Sequence, residues 1–216
     1  MRDREASRAK RLRIAVVTET FPPEVNGVAR TIGLMVEALL ERGHEIQLVR
    51  PRQGSDRMLM QREGFTERLT RGVPIPRYAS LQLGLISVSR LLREWRAWRP
   101  DVVQIATEGP LGWTAERAAA RLGIGVATDF HTNFHAYSRD YGMGRLSGLV
   151  QRYLRGFHNR AACTMVPSRQ MKAELGAMGF ERLRVVGRGI DAALFNPARR
   201  SEALRLTWGC RLNCSR

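Results

Sequence analysis

Between residues 13 and 186, short apolar runs alternate with longer segments whose apolar residues recur at helical spacing. This alternation constrains the fold more than any other feature of the chain. Arg13–Thr18 (RIAVVT) reads as a buried strand. Val28–Glu41 follows, with Val28, Ile32, Met35, Val36, Leu39 and Leu40 on one helix face and Gly43 behind it as a stop. Glu45–Val49 is the next strand. Residues 51–72 show no clear period and are expected as a long loop with short pieces. Val73–Tyr78, with Pro74 and Pro76, is expected as an edge strand. A helix is then predicted over Val88–Trp98, stopped by Pro100. Strands are predicted at Asp101–Ala106, Gly125–Asp129, Cys163–Val166 and Leu183–Val186. Helices are predicted at Gly112–Leu122, at the stripe Leu146, Leu149, Val150, Tyr153, Leu154 and Phe157, and at Arg169–Met178 behind Ser168 as N-cap. Strands that alternate with helices imply βαβ units. The expected fold class is therefore α/β: a Rossmann-like, doubly wound, mainly parallel sheet covered on both faces. Such sheets bind ligands at the carboxyl ends of their strands, so the loops there are the candidate sites.

Composition is consistent with one such domain. The chain has 216 residues, 44% of them hydrophobic, enough to bury a core. No apolar run approaches the roughly 18–20 residues that span a bilayer. The first thirteen residues are charged and lack the apolar region of a signal peptide, which points to a cytoplasmic protein. Three cysteines give no disulfide framework. Cys163 is expected as a small buried hydrophobe, and Cys210 and Cys214 have no second pair with which to build a zinc site. The formal net charge is +16. It is concentrated in residues 139–216, where fifteen cations face five anions. A basic C-terminal third suits nucleic acid, acidic lipid or a phosphorylated ligand, or is simply a solvated surface. Nucleic acid is disfavoured, because no recognition motif and no basic–aromatic interleaving are present.

Four loops could carry chemistry. In Thr18–Val28, Gly27 stands at a helix start, where free N–H groups favour a phosphate; the alternative is a plain turn with Asn26 as the cap. The loop is neither a Walker loop nor a G-x-G-x-x-G. After Gly125–Asp129, His131 is well placed to meet a substrate, or is a hydrogen-bonded structural His. His131 and His135 have the spacing of a metalloprotease helix, but Thr132 stands where the catalytic Glu would be, so no metal is expected. Glu108, between a strand and a helix, could accept hydrogen bonds from a sugar or favour the helix dipole. In Gly187–Asp191, Arg188 could meet a phosphate.

Taken in order, the segments RIAVVTETFPPEVNGVARTI, TDFHTNFHAYSRDYG, TMVPSRQMKAEL and VVGRGIDAALFNP resemble the N-terminal half of a GT-B glycosyltransferase of family 4, over about residues 12–209. The nearest likeness is to the glycolipid-making sulfoquinovosyl- and mannosyl-transferring branch. The resemblance implies one of two Rossmann-like domains facing a cleft, with the acceptor held here and the nucleotide sugar held by the other. It implies a retaining hexosyl transfer from a nucleotide diphosphate sugar, as co-substrate, to a lipid or sugar acceptor, with no metal or further cofactor. It places Asn26, Gly27 and Val28 at the donor diphosphate, joined by Arg188. His131 falls at the transferring sugar, as the catalytic residue. Glu19, Glu108 and Tyr137 fall on acceptor-side loops. The implied organisation is a basic tail over 1–11, the acceptor domain over 12–190, and the start of an interdomain linker with an aberrant tail over 191–216. The family pattern breaks near Cys210, before any donor domain. A truncated chain, inactive alone, is the resulting expectation, which the adjacent coding DNA read in all frames would test. The alternative function is a non-catalytic module on an anionic lipid surface, with Leu146–Arg160 as an amphipathic segment; a core-packed helix is the plainer reading of that stretch.

Overall fold

The computed structural model describes residues 10–53, 61–75, 78–131, 147–189, 192 and 194–209. It divides into two compact units, residues 1–186 and 187–216. Among the described residues nine strands of the first unit form one sheet: β1 (Arg13–Val17), β2 (Glu45–Pro51), β3 (Gln61–Arg62), β4 (Phe65–Ile75), β5 (Tyr78–Leu85), β6 (Val102–Ile105), β7 (Gly125–Asp129), β8 (Cys163–Val166) and β9 (Leu183–Val185). Among the described residues five helices accompany them: α1 (Gly27–Glu41), α2 (Val88–Trp98), α3 (Pro110–Leu122), α4 (Ser147–His158) and α5 (Arg169–Ala177).

The sheet runs β3-β4-β2-β1-β6-β7-β8-β9, with β5 on β4. Among the described residues only the β3–β4 and β4–β5 pairings are antiparallel. The chain winds outward from β1 through β2 to β4, then crosses back to β6 on the other side of β1. This is the doubly wound, Rossmann-like arrangement the alternation predicted. Its winding reverses between β1 and β6, and the crevice above that switch point is where such sheets hold ligands.

The central strands are buried on both faces because their side chains alternate between two cores. Ile14 and Val16 join Ile32 and Val36 of α1 with Ile46, Leu48 and Phe65. Ala15 and Val17 face the other way, onto Leu91 and Trp95 of α2 and Leu111, Ala115 and Ala119 of α3. A third cluster joins Phe130, Leu154, Val166, Leu175, Phe180 and Leu183. The helix ends follow the local chemistry. Ser87 and Ser168 accept from Arg90 N (3.3 Å) and Met171 N (3.1 Å), and Gly123 closes α3 at φ +67°.

Four expectations need correction. Residues 51–72 are not a long loop: β2 runs to Pro51 and β4 begins at Phe65. The period was hidden because the inward face of β4 is partly polar. Glu67, with a fully buried side chain, lies next in that row to Phe65 and pairs at 3.0 Å with Arg50. Pro74 sits inside β4, whose partner β5 had not been expected as a strand. The α4 stripe is only half used: Leu154 and Phe157 are buried, whereas Leu149, Val150 and Tyr153 are 60, 38 and 44% exposed. Cys163 is half-buried, because the side chains of β8 alternate in burial and Thr164 and Val166 face in.

The second unit holds a short 3-10 turn at Pro197–Arg199 and α6 (Glu202–Thr207). Asn196 and Ser201 cap them, accepting from Ala198 N (3.0 Å) and Leu204 N (3.2 Å).

Candidate functional site at the switch point

The loops after β1 and β6 flank the switch point and are tied together through Glu19. Its backbone N–H donates to Thr107 Oγ1 at 3.0 Å. Its carboxylate accepts from Leu111 N, in the first turn of α3, at 3.2 Å. Gly109 makes this approach feasible, since a Cβ there would lie 1.9 Å from Glu19 Oε2. Burial pushes the Glu19 carboxyl up to about 7; hydrogen bonds from the Leu111 and Gly84 backbones partly offset it, and the nearby charge of Glu108 adds to it. A side chain that is part protonated near neutrality can both donate to and accept from a hydroxyl. The acidic residue at the start of α3 is thus Glu19, and Glu108 turns elsewhere.

Glu108 Oε1 lies 3.2 Å from His158 Nε2. His158 is fully buried; its Nδ1 is 2.9 Å from Thr128 Oγ1, which is 2.9 Å from Thr164 Oγ1. Phe130 and Phe157 pack on the imidazole with ring centroids 5.2 Å away. Tyr153 Oη donates to the Glu108 carbonyl at 2.5 Å. The Tyr153 phenol is pushed up by burial and then by the charges of Glu108 and Glu19. His158, Thr128 and Thr164 were not among the sequence candidates. The available signal was a histidine four residues after Leu154, on the buried face of α4.

The β1 loop then leads to α1. Asn26 does cap the helix: its Oδ1 accepts from Ala29 N at 2.8 Å, and its Nδ2 donates to Thr20 Oγ1 at 2.6 Å. Thr20 also bonds the Glu24 carboxylate, which takes a 2.6 Å bond from Gln53 Nε2. The loop is therefore held from both ends. What it leaves open is the first turn of α1. Among the described residues nothing accepts from the N–H groups of Gly27 or Val28, and a Cβ on Gly27 would meet nothing within 4 Å. Open amides at the positive end of a helix dipole suit a phosphate.

His131 stands just past β7, with Nε2 3.8 Å from Asp129 Oδ2. The Gln104 side chain of β6 donates to that same carboxylate. Arg188 is exposed and belongs to the second unit. Tyr137, like His135, lies outside the described residues. Glu19 and Glu108 are thus together at the switch point. Asn26, Gly27 and Val28 share the Glu19 loop, and His131 follows the strand beside β6. Among the described residues no cluster of three or more His, Cys, Asp or Glu side chains is placed to hold a metal ion.

The sequence matches Glycosyltransferase Family 4 over residues 25–194. The chain belongs to that family. A GDP-mannose-dependent alpha-mannosyltransferase of Mycobacterium tuberculosis is 32% identical over 199 residues, which cover 91% of this chain and 52% of the relative. The sulfoquinovosyl transferase SQD2 of Arabidopsis thaliana is 27% identical, over 93% of this chain and 39% of the relative. Among solved structures, sucrose-phosphate synthase from Thermosynechococcus elongatus superposes with a TM-score of 0.64 at 12% identity, over 92% of this chain and 53% of that one. That likeness is one of fold, and the fold is one half of a GT-B enzyme. The chain spans about half the length of the curated relatives it matches. As a family 4 member, it carries part of a glycosyltransferase fold.

Proposed function

We propose that this chain forms the acceptor wall of a retaining glycosyltransferase. The reaction moves a hexose, mannose in the first instance, from a nucleotide diphosphate sugar to a lipid or sugar hydroxyl. The observation that carries this reading is that Glu19 and Glu108 lie near each other on the loops flanking the switch point, with the open N-terminus of α1 at the end of the Glu19 loop. Transfer builds positive charge on the sugar and negative charge on the leaving diphosphate. The Gly27 and Val28 amides stabilise the diphosphate, and Asn26 fixes the turn that presents them. His131, whose Nε2 lies 3.8 Å from Asp129 Oδ2, meets the transferring sugar and supports the oxocarbenium-like species. Glu19 and Glu108, with Tyr137, hold the acceptor hydroxyls. The acceptor proton leaves with the departing phosphate, so the scheme uses no protein base and no metal.

Alone, the 216-residue chain is inactive and binds nucleotide sugar poorly, because contacts to the nucleotide come from a second domain. The test joins this chain to the part of the M. tuberculosis mannosyltransferase that it does not match. A folded chimera should transfer mannose from GDP-mannose with retention and lose most of its rate on His131→Ala. A folded chimera with no transfer, or one indifferent to that substitution, overturns the reading.

A second reading, a non-catalytic module on anionic lipid, is favoured by the exposed Leu149, Val150 and Tyr153 of α4 beside the exposed Arg152. Among the described residues no helix is long and apolar enough to cross a membrane, so α4 would lie on the surface. Salt-sensitive binding to anionic vesicles, lost on Leu149→Ser with Val150→Ser, supports it; vesicle binding unchanged by both removes it.

A further inference from the structure

His158 is a fully buried titratable side chain that the proposed transfer does not use. It closes α4, and the rings of Phe130, Phe157 and Phe180 pack on it at centroid distances of 5.2, 5.2 and 5.9 Å. An apolar residue would fill such a space without the cost of burying two polar nitrogens. Both nitrogens have partners instead. Nε2 faces Glu108 Oε1 at 3.2 Å, and Nδ1 faces Thr128 Oγ1 at 2.9 Å. An ionised carboxylate only accepts, so Nε2 carries a proton. The partner on Nδ1 suits either form of the ring. Thr128 and Thr164 stand opposite each other on β7 and β8 with their hydroxyls 2.9 Å apart, and Thr164 Oγ1 lies 3.5 Å from the His158 carbonyl. With a neutral ring, Thr164 donates to Thr128, and Thr128 donates to Nδ1. With a charged ring, Nδ1 donates to Thr128, Thr128 to Thr164, and Thr164 to the His158 carbonyl. No heavy atom has to move between the two arrangements, so Nε2–H stays on Glu108 in both.

The same helix holds Glu108 at a second point. Tyr153 Oη donates to the Glu108 carbonyl at 2.5 Å, so α4 fixes both the backbone and the carboxylate of this residue. The Glu108 side chain is still 14% exposed and can be reached from the crevice, whereas His158 cannot. We propose that His158 is a positioning residue of the acceptor site: it holds one oxygen of the Glu108 carboxylate in either protonation state of the ring and so sets the direction in which that carboxylate meets an acceptor hydroxyl. The inference rests on the acceptor role proposed above for Glu108 and adds the residue that fixes its geometry. An unheld glutamate would have to be ordered as the acceptor binds, and ordering one flexible side chain corresponds to an affinity loss of about three- to tenfold.

The test is made on the full chain by nuclear magnetic resonance. In the wild type the neutral imidazole of His158 should be a single tautomer, with an Nε2–H proton that is visible and slow to exchange; a mixture of tautomers overturns the proposal. Two substitutions then separate the two nitrogens. His158→Gln keeps a donor toward Glu108, and His158→Asn keeps only the contact toward Thr128. The Glu108 signals should hold their place in His158→Gln and move in His158→Asn. Titration with methyl α-glucoside, followed by backbone amide resonances, should give His158→Gln an affinity within about twofold of the wild type and His158→Asn a loss of about three- to tenfold. Each variant gives up one buried hydrogen bond, so both should unfold at similar denaturant concentrations, which separates the contrast in binding from one in folding. Equal affinities and equal Glu108 signals in the two variants overturn the proposal and leave His158 as a core residue. If the glucoside shifts nothing in the wild type, the acceptor reading falls, while the tautomer and the Glu108 signals still decide whether His158 holds that carboxylate.

Discussion

Replacing Glu19 by Gln gives a test whose sign separates two explanations of the same side chain. An ordinary acid at a helix N-terminus prefers its charged form, and its folded pKa drops. Glu19 goes the other way, from 4.5 to about 7, because burial outweighs the backbone N–H groups of Leu111 and Gly84. Between those two values the unfolded chain has released a proton that the native chain keeps. Native protein then binds more protons, so stability is full below 4.5, falls as pH rises, and has lost its share once pH passes about 7. The difference, converted at ~1.4 kcal/mol per unit, is on the order of 3 kcal/mol. Gln keeps an oxygen for Leu111 N–H and has no charge to bury. Thermal unfolding of both proteins should therefore show a gap that widens from about pH 5 to about pH 8 in favour of E19Q. At roughly 2–4 °C per kcal/mol, the widening is about 6–12 °C. Parallel curves, or a gap that favours the wild type at high pH, refute the reasoning.

Two further substitutions probe the frame around the site. Arg50→Met leaves the fully buried Glu67 side chain without its cation and should cost about 3–5 kcal/mol in denaturant unfolding, while Arg50→Met with Glu67→Met recovers most of it. His158→Phe removes the partner of both Glu108 and Thr128 and should cost about 1–3 kcal/mol, with the amide signals of Glu108 displaced; unmoved signals would detach His158 from the site.

Where a segment's burial followed its hydropathy, the sequence was readable. Val88–Trp98, Gly125–Asp129 and Cys163–Val166 form as expected, because each carries either a helical stripe or an apolar run between clear stops. β4 was not readable, since its inward row includes Glu67 and its pairing with Arg50 is made only across strands distant in sequence. The exposed half of α4 misled in the opposite sense: Leu149, Val150 and Tyr153 keep helical spacing without a core to face. At the site, Glu19, Glu108 and Gly27 could be picked out because each follows a strand. The Glu19–Leu111 contact joins residues 92 apart, and the Glu108–His158 contact joins residues 50 apart. No local pattern encodes such contacts. Asn26 caps α1, and by capping it leaves the two following amides open.

If the switch-point loops form the acceptor wall proposed above, they bind an acceptor in this chain itself. The most direct measurement is an amide chemical-shift titration of the 216-residue chain with a water-soluble glycolipid headgroup, and separately with GDP-mannose. Saturable shifts are expected at Glu19, Thr107, Glu108 and Leu111 with the headgroup, lost in Glu19→Ala, and only weak shifts at Gly27 and Val28 with the nucleotide sugar. Headgroup shifts that avoid these four residues, or that persist unchanged in Glu19→Ala, would contradict it.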